Sequence, residues 1–490
     1  MLRSMTSFPS PHRTELDGVD VLVLEVPGPL RASLVFRAGI ATATFRTHPV
    51  PHLLEHLVLG ALPRTHHGVD GSTTAEDLTF DVSGTPAQVR DALHGICAAI
   101  RDLPLDRLPH EARVVDVEVD GSGESLVGLH SAVRCGMDGA GLEGQRDVPA
   151  AQVTAEQVRD FAARRLVRGN AVLTLTGPVP EGLRLDLPDG PRTVLDSAVR
   201  ADVRLPALLR GEAPLTAMSV CTPATPSDAL LGRLVRERAE ARLRHELGIV
   251  YSVEDVTLLL GPGRVMRLVT ADGVEAAGQA AAQLLGGLRE LADEGPAPEE
   301  LAADLQQLES ALSDPRTHDD LLLHTAHLLL SGTPARSGEE LLAEVRAVTP
   351  EQVRDSAQRA LGTVLLTVPD ESEVDADSLG LRDITEEAWD RDSDISGTVH
   401  WRRLLSLAPH DLRVVHGEEG LSIRVHGCTA TFPSDEVVGI LRSGPWLELL
   451  RRDGRNAAFR PRDLRRGRQL EGAILDRWES LLVVDETDAG

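Results

Sequence analysis

The sequence contains no lysine; all 50 of its basic residues are arginine. That absence removes three chemistries at once: a Schiff-base lysine, a phosphate-loop lysine and a lysine general base. Aromatic side chains are almost as scarce, at 2%, with a single tyrosine, Tyr251. Aliphatic Leu, Val and Ala must therefore fill the cores. The four cysteines, Cys97, Cys135, Cys221 and Cys428, are far apart and form no C-x-x-C pair. Neither a disulfide framework nor a cysteine zinc site is expected. No apolar run approaches a membrane span, and Met1 to Leu16 lacks the apolar stretch of a secretory signal. The expectation is a cytoplasmic protein with no membrane span. Positive charge is also in deficit, with a net charge of −26. Nucleic-acid backbones would be repelled, so no nucleic-acid partner is expected.

What is present begins with His52-Leu53-Leu54-Glu55-His56, an H-x-x-E-H pattern. Two His four residues apart on a helix lie on one face, one turn apart. Both imidazoles can then reach one Zn²⁺ at about 2.0–2.1 Å. Glu55 sits beside them, where its carboxylate can take a proton from a metal-bound water.

The chain also repeats itself. Thr154-Ala-Glu-Gln-Val-Arg-Asp-Phe-Ala-Ala-Arg-Arg-Leu166 recurs as Thr349-Pro-Glu-Gln-Val-Arg-Asp-Ser-Ala-Gln-Arg-Ala-Leu361, 195 residues later, with nine of thirteen positions identical. Each copy opens a helix on a Thr cap and runs into an apolar strand, Ala171 to Thr176 or Val364 to Val368. Convergence of two helix starts does not account for so close a match; a duplicated α+β domain does. Strand patterns at Val21 to Val26 and Ala32 to Arg37 open the first half, and Leu215 to Cys221 opens the second. Helical patterns follow at Gly232 to Leu247 and Val274 to Asp293. The second half carries no counterpart of the His/Glu pattern.

After Asp370 the composition changes. Residues 370–394 hold eleven acidic residues against two arginines, which reads as a solvated linker with a short helix around Glu386 to Trp389. Beyond it, strands at Leu412 to His416, Leu421 to Val425 and Trp446 to Arg451, then a helix from Gly467 to Leu482 carrying Trp478, look like a small β-barrel closed by a helix. That order is similar to pleckstrin-homology-like domains. Its arginine cluster reads as a solvated face or a docking face. The boundaries are therefore 1–195 for a metal-binding domain, 196–370 for its homologue, 371–397 for an acidic linker and 398–490 for a small C-terminal domain.

The inverted motif resembles the pitrilysin/insulinase family of zinc peptidases, which includes the mitochondrial processing peptidase. The resemblance covers roughly residues 17–369 and implies two homologous pitrilysin-like domains. It implies a third zinc ligand on a later helix with a second carboxylate seven residues before it, a spacing met by Glu118 and Glu111. By itself Val115 to Asp120 alternates with period two and reads as a strand. The resemblance requires a helix, and Pro109-His110-Glu111 fits its start. Gly71 to Thr79 looks like the family's substrate-pairing edge strand. Gly169 to Leu173 looks like its link into the last strand of the first domain. The His56-to-Glu118 stretch is shorter than in the family, with the loss expected around Pro63 to Gly71.

Arg244-His-Glu-Leu-Gly-Ile-Val-Tyr251 resembles the family's Arg/Tyr element. It implies Tyr251 steadying an oxyanion and Arg244 holding the peptide. The implied protein is a zinc-dependent endopeptidase acting on short or unfolded peptides inside a dimer chamber. It would pair with itself or with a homologous subunit, and leader or precursor processing is among the roles the resemblance allows. The competing expectation is a non-catalytic or chaperone-like peptide-binding subunit of a heterodimeric pair. A second cluster, His318, Asp319, Asp320, His324 and His327, has no recognised ligand spacing and reads as a helix surface.

Overall fold

A computed structural model describes residues 10–63, 68–121, 125–194, 203–211, 215–261, 263–334, 336–385 and 394–485. In the first unit β1 (His12–Leu16), β2 (Val19–Val23) and β3 (Leu30–Phe36) precede α1 (Val50–Ala61). Then come β4 (Gly68–Thr73), β5 (Leu78–Gly84), α2 (Pro86–Arg101), α3 (Leu108–Gly121), α4 (Leu126–Cys135), α5 (Ala155–Arg165) and β6 (Ala171–Leu175). The second unit runs β7 (Ala207–Gly211), β8 (Thr216–Pro223), α6 (Pro226–Glu240), β9 (Val253–Gly261), β10 (Arg264–Ala271) and α7 (Ala277–Glu294). It continues through α8 (Pro298–Ser313), α9 (His318–Leu330), α10 (Gly338–Arg346), α11 (Pro350–Leu361), β11 (Leu365–Pro369) and β12 (Arg382–Asp383).

The two sheets match in five of their six strands; the sixth differs, since β1 precedes β2 and pairs with it antiparallel whereas β12 follows β11 and pairs with β7 in parallel. Their orders are β1-β2-β6-β3-β5-β4 and β12-β7-β11-β8-β10-β9. In each, the strand after the repeated helix pairs in parallel with one neighbour and antiparallel with the other. The repeated helices start alike. Thr154 Oγ1 accepts from the Gln157 amide at 3.2 Å, and Thr349 Oγ1 from that of Gln352 at 3.3 Å. Each Gln side chain reaches back to its Thr amide, at 2.8 and 2.9 Å, closing a capping box. The architecture is α+β.

Each half lends a helix to the other's sheet. From the first, α4 buries His130 completely against the second sheet. Its Nδ1 meets Ser219 Oγ at 2.7 Å and its Nε2 meets Thr367 Oγ1 at 2.9 Å. From the second, α9 packs Leu322, Ala326, Leu329 and Leu330 against Leu22, Val35 and Val172. This corrects the expectation of a plain helix surface at His318 to His327. His318 is buried, Asp319 pairs with Arg31, and His327 Nε2 lies 3.2 Å from Asp77.

The acidic segment is only partly solvated. Val374, Ala376 and Leu381 are buried against the second unit, and β12 adds to its sheet. The short helix expected around Glu386 to Trp389 lies outside the described residues. The C-terminal unit has one sheet of β13 (Thr398–Trp401), β14 (Arg413–Gly417), β15 (Gly420–Val425) and β16 (Cys428–Pro433). A second holds β17 (Val437–Ser443), β18 (Trp446–Arg451), β19 (Asn456–Phe459) and, after α12 (Gly467–Arg477), β20 (Leu482–Asp485). The last helix stops at Arg477 rather than Leu482. Trp478 caps it from the core, and the chain turns into β20, which pairs in parallel with β17. No described helix is long and apolar enough to cross a membrane.

The C-terminal unit packs onto the first unit. Phe45, Leu142 and Val148 meet Leu450 and Val483 in one apolar cluster. Gly439 lets Phe45 approach, since a Cβ there would lie 2.5 Å from its ring. The Met137 amide donates to Arg452 O at 2.8 Å, and the Val484 amide donates to Gln152 Oε1 at 3.1 Å.

Candidate metal centre

The face of α1 that carries Val50, Leu53, Leu54, Leu57 and Val58 is buried in the first core. These positions recur at the i, i+3, i+4, i+7 spacing of an amphipathic helix. Pro51 stands in its first turn, where a missing amide costs nothing. His52 and His56 fall on the adjoining face, half-buried, with their Nε2 atoms 3.2 Å apart.

The 115–120 segment is helical. In α3, Leu108, Glu111, Ala112 and Val115 form the buried stripe, while Val117 is 71% exposed. The alternation of valines was an accident of one turn: Val115 faces the core and Val117 faces water. The helical setting turns Glu118 toward α1. Its Oε2 lies 3.3 Å from His52 Nε2 and 3.4 Å from His56 Nε2. A tetrahedral zinc with bonds of about 2.0–2.1 Å has donor–donor edges of about 3.3–3.4 Å. The three atoms thus have the spacing of one face of such a tetrahedron, and the donor set fits zinc.

Glu55 also has its carboxylate within 4.8 Å of both imidazoles. It differs from Glu118 in what holds it. Glu55 is 8% exposed, and its Oε2 accepts a 2.6 Å hydrogen bond from Thr73 Oγ1 at the end of β4. Glu118 reaches both Nε2 atoms, so it is the better third donor and Glu55 the group set beside the donors. Gly71 allows this arrangement. A Cβ there would stand 2.7 Å from Glu55 Cγ and 2.9 Å from Leu59 Cδ1.

Glu111 is buried behind His56, with Oε2 3.6 Å from His56 Nδ1. Arg107 holds its other oxygen at 2.6 Å from the opposite side. A carboxylate on the second nitrogen of an imidazole fixes which nitrogen faces a metal. Burial lowers the pKa of His52, more than the nearby carboxylates raise it, which favours the neutral, metal-binding form. Asp116 is not a donor: its two oxygens accept from the amides of Ala150 and Ala151 at 2.6 and 3.1 Å.

The expected edge strand is displaced from the sequence reading. The edge is β4, Gly68–Thr73, and Gly71 to Thr79 spans its end, a turn and the start of β5. Arg244 and Tyr251 lie together elsewhere. Arg244 sits in a π-helical turn that extends α6, its guanidinium 5.6 Å from the centre of the Tyr251 ring. Tyr251 is 81% exposed. Among the described residues, neither makes a hydrogen bond, ion pair or ring contact with His52, Glu55, His56 or Glu118.

Thr73, Arg107 and the C-terminal wall were missed in the sequence. Arg107 had a signal, four residues before Glu111, at the end of the 3-10 turn that leads into α3. The wall had none. A cavity of about 700 Å³ opens beside His52, bounded by Val119, Asp147, Leu441, Glu448 and Val483. Burial, reinforced by the charge of Asp147, raises the Glu448 carboxyl pKa. The C-terminal unit thus forms part of the surroundings of the candidate centre.

No family model and no curated protein matches the sequence. Solved structures do. A protease from Helicobacter pylori superposes with a TM-score of 0.61 at 14% identity, over 74% of this chain and 100% of that one. The chain has the peptidase M16 fold. A peptidase M16 inactive domain from Pseudomonas fluorescens gives 0.60 at 14% identity, over 74% and 99% of the two chains. Pitrilysin gives 0.55 at 14% identity, with 76% of this chain covering 46% of that one.

Proposed function

We propose that this chain is a zinc-dependent peptidase that hydrolyses short or unfolded peptides. The observation that carries the reading is the triangle of His52 Nε2, His56 Nε2 and Glu118 Oε2, with Glu55 held beside it. A zinc ion bound there would supply Lewis acidity and an acidified water. Glu55 is the general base, and Thr73 fixes its carboxylate. Glu111 orients His56, and Arg107 orients Glu111. The open edge of β4 takes the substrate as an added strand, so backbone hydrogen bonds rather than side chains set its direction. Each subunit of a homodimer, or of a pair with a homologue, brings Arg244 and Tyr251 to its partner's centre, where they steady the oxyanion and the peptide.

A second reading has one observation behind it. An inactive M16 domain is among the structures that superpose. On that reading the chain binds peptides as the non-catalytic member of a heterodimer.

The experiment is zinc content per chain for wild type and Glu118→Ala, alongside cleavage of a mixed peptide pool. About one zinc, lost together with cleavage in the variant, supports the peptidase. Neither zinc nor cleavage in the wild type overturns it in favour of the binding subunit.

A further inference from the structure

The most exposed apolar side chains of the described protein sit together on one loop, far in sequence from the metal centre. Leu404, Leu405 and Leu407 are 82%, 95% and 97% exposed, and Trp401 at the loop's base is 54% exposed. Single exposed leucines are ordinary; three at one tip call for a partner.

The loop is built rather than slack. Arg402 spends its guanidinium on the loop's own carbonyls, donating to Ala408 O at 2.8 Å and to Ser406 O. The Arg402 amide closes the base on Leu412 O at 3.2 Å, and the Ser406 amide donates to Arg403 O at 3.1 Å. The neighbouring segment is stitched alongside: the Arg403 amide donates to Asp463 O at 2.7 Å, and that of Arg465 to Trp401 O at 2.8 Å. These bonds hold the polar backbone inward and leave the leucines pointing out.

Charge singles out the same place. Residues 398–485 carry fourteen arginines against twelve acidic residues in a chain of net charge −26. Beside the loop, Arg403, Arg462, Arg465, Arg466 and Arg468 are exposed. Among the described residues, no carboxylate pairs with any of the five. At physiological salt the screening length is about 8 Å, and the loop's own acid, Asp411, is taken up by the amides of His426 and Gly427, so this arginine cluster dominates the local potential.

We propose that the Trp401–Leu412 loop docks the protein onto an anionic lipid surface, the three leucines entering the acyl boundary while the arginines meet the headgroups. Leucines exposed almost completely suit a fluid apolar phase. A second copy fits less well, because a patch of a few hundred Å² falls short of the roughly 800 Å² per partner of stable interfaces. Trp401, 54% exposed at the loop's base, is a residue type that favours the membrane interface. So small an apolar insertion gives weak, reversible binding unless a basic patch adds to it, and here both are present.

The test is co-sedimentation of the full chain with vesicles of phosphatidylcholine alone and of phosphatidylcholine mixed with phosphatidylserine. Wild type is expected to bind the mixed vesicles, less so at high salt, with a blue shift of tryptophan emission. A Leu404→Ser, Leu405→Ser, Leu407→Ser variant should bind at least about tenfold more weakly. Arg403→Glu with Arg462→Glu should remove the preference for anionic lipid. All five positions are exposed, so thermal unfolding should match wild type. Wild type left in the supernatant, or undiminished binding by the leucine variant, would overturn the proposal. So would a wild-type dimer that the leucine variant converts to monomer without any vesicle binding, since the leucines would then serve a second copy of the chain.

Discussion

Glu111→Gln separates the support of the centre from its donors. The side chain is 7% exposed and keeps its volume on substitution, so no cavity opens. Two contacts change. Arg107 loses a charged acceptor at 2.6 Å, a bond type that contributes about 1.5–3 kcal/mol when well enclosed. Arg107 is 40% exposed, so solvent screening reduces this to about 1 kcal/mol of stability. His56 Nδ1 loses a carboxylate 3.6 Å away. Removing such an outer partner weakens metal binding by about 10–100-fold. A glutamine oxygen still faces the imidazole as a dipole at that distance, so the lower end, about tenfold or 1.4 kcal/mol, is expected. Zinc affinity by chelator competition, and thermal unfolding with and without zinc, measure the two effects separately. Affinity unchanged within about threefold would refute the supporting role, because the predicted loss is well outside that margin.

Gly71→Ala should cost about 1–3 kcal/mol of stability by crowding Glu55 and Leu59, and should lower peptide hydrolysis while zinc content stays at the wild-type level. Loss of zinc instead would show that the strand supports the donors rather than Glu55. Tyr251→Phe should leave thermal unfolding unchanged, since the ring is 81% exposed, and reduce kcat about a hundredfold without loss of zinc. An unchanged kcat would remove Tyr251 from the reaction. His130→Gln tests the joint between the halves by its pH dependence. Burial lowers the His130 pKa to about 3 from an ordinary 6.5. The folded form keeps it neutral, so its contribution is complete above pH 6.5 and lost as pH falls toward 3, at about 1.4 kcal/mol per unit. The variant should be less stable at pH 8, and the gap should narrow on acidification in urea titrations at successive pH values. A constant gap would contradict the assignment.

His52, Glu55 and His56 were legible because helical spacing puts all three near one point without help from the rest of the chain. The duplicated fold was legible from Thr154 to Leu166 and its copy, since caps and apolar stripes are local and both recur. Val115 to Asp120 misled in isolation because period two and helical periodicity coincide over so short a stretch; the buried stripe from Leu108 to Val115 decides between them. The edge strand was placed too late because a turn at Thr74 to Asp77 interrupts what reads as one run. The end of α12 was overextended because Trp478 is apolar whether it continues a helix or caps one.

The sequence by itself determined the repeat, the α+β class and a histidine pair with a carboxylate between them, because each depends on neighbours a few residues apart. Tertiary structure brought Glu118, expected from the family's spacing, onto both imidazoles, and it alone decided that Thr73 holds Glu55 from a different strand, that α4 and α9 cross between the halves, and that Leu441, Glu448 and Val483 wall the cavity beside His52. Those contacts join residues tens to hundreds of positions apart, and they exist only once packing has fixed where each element ends and which face it turns inward.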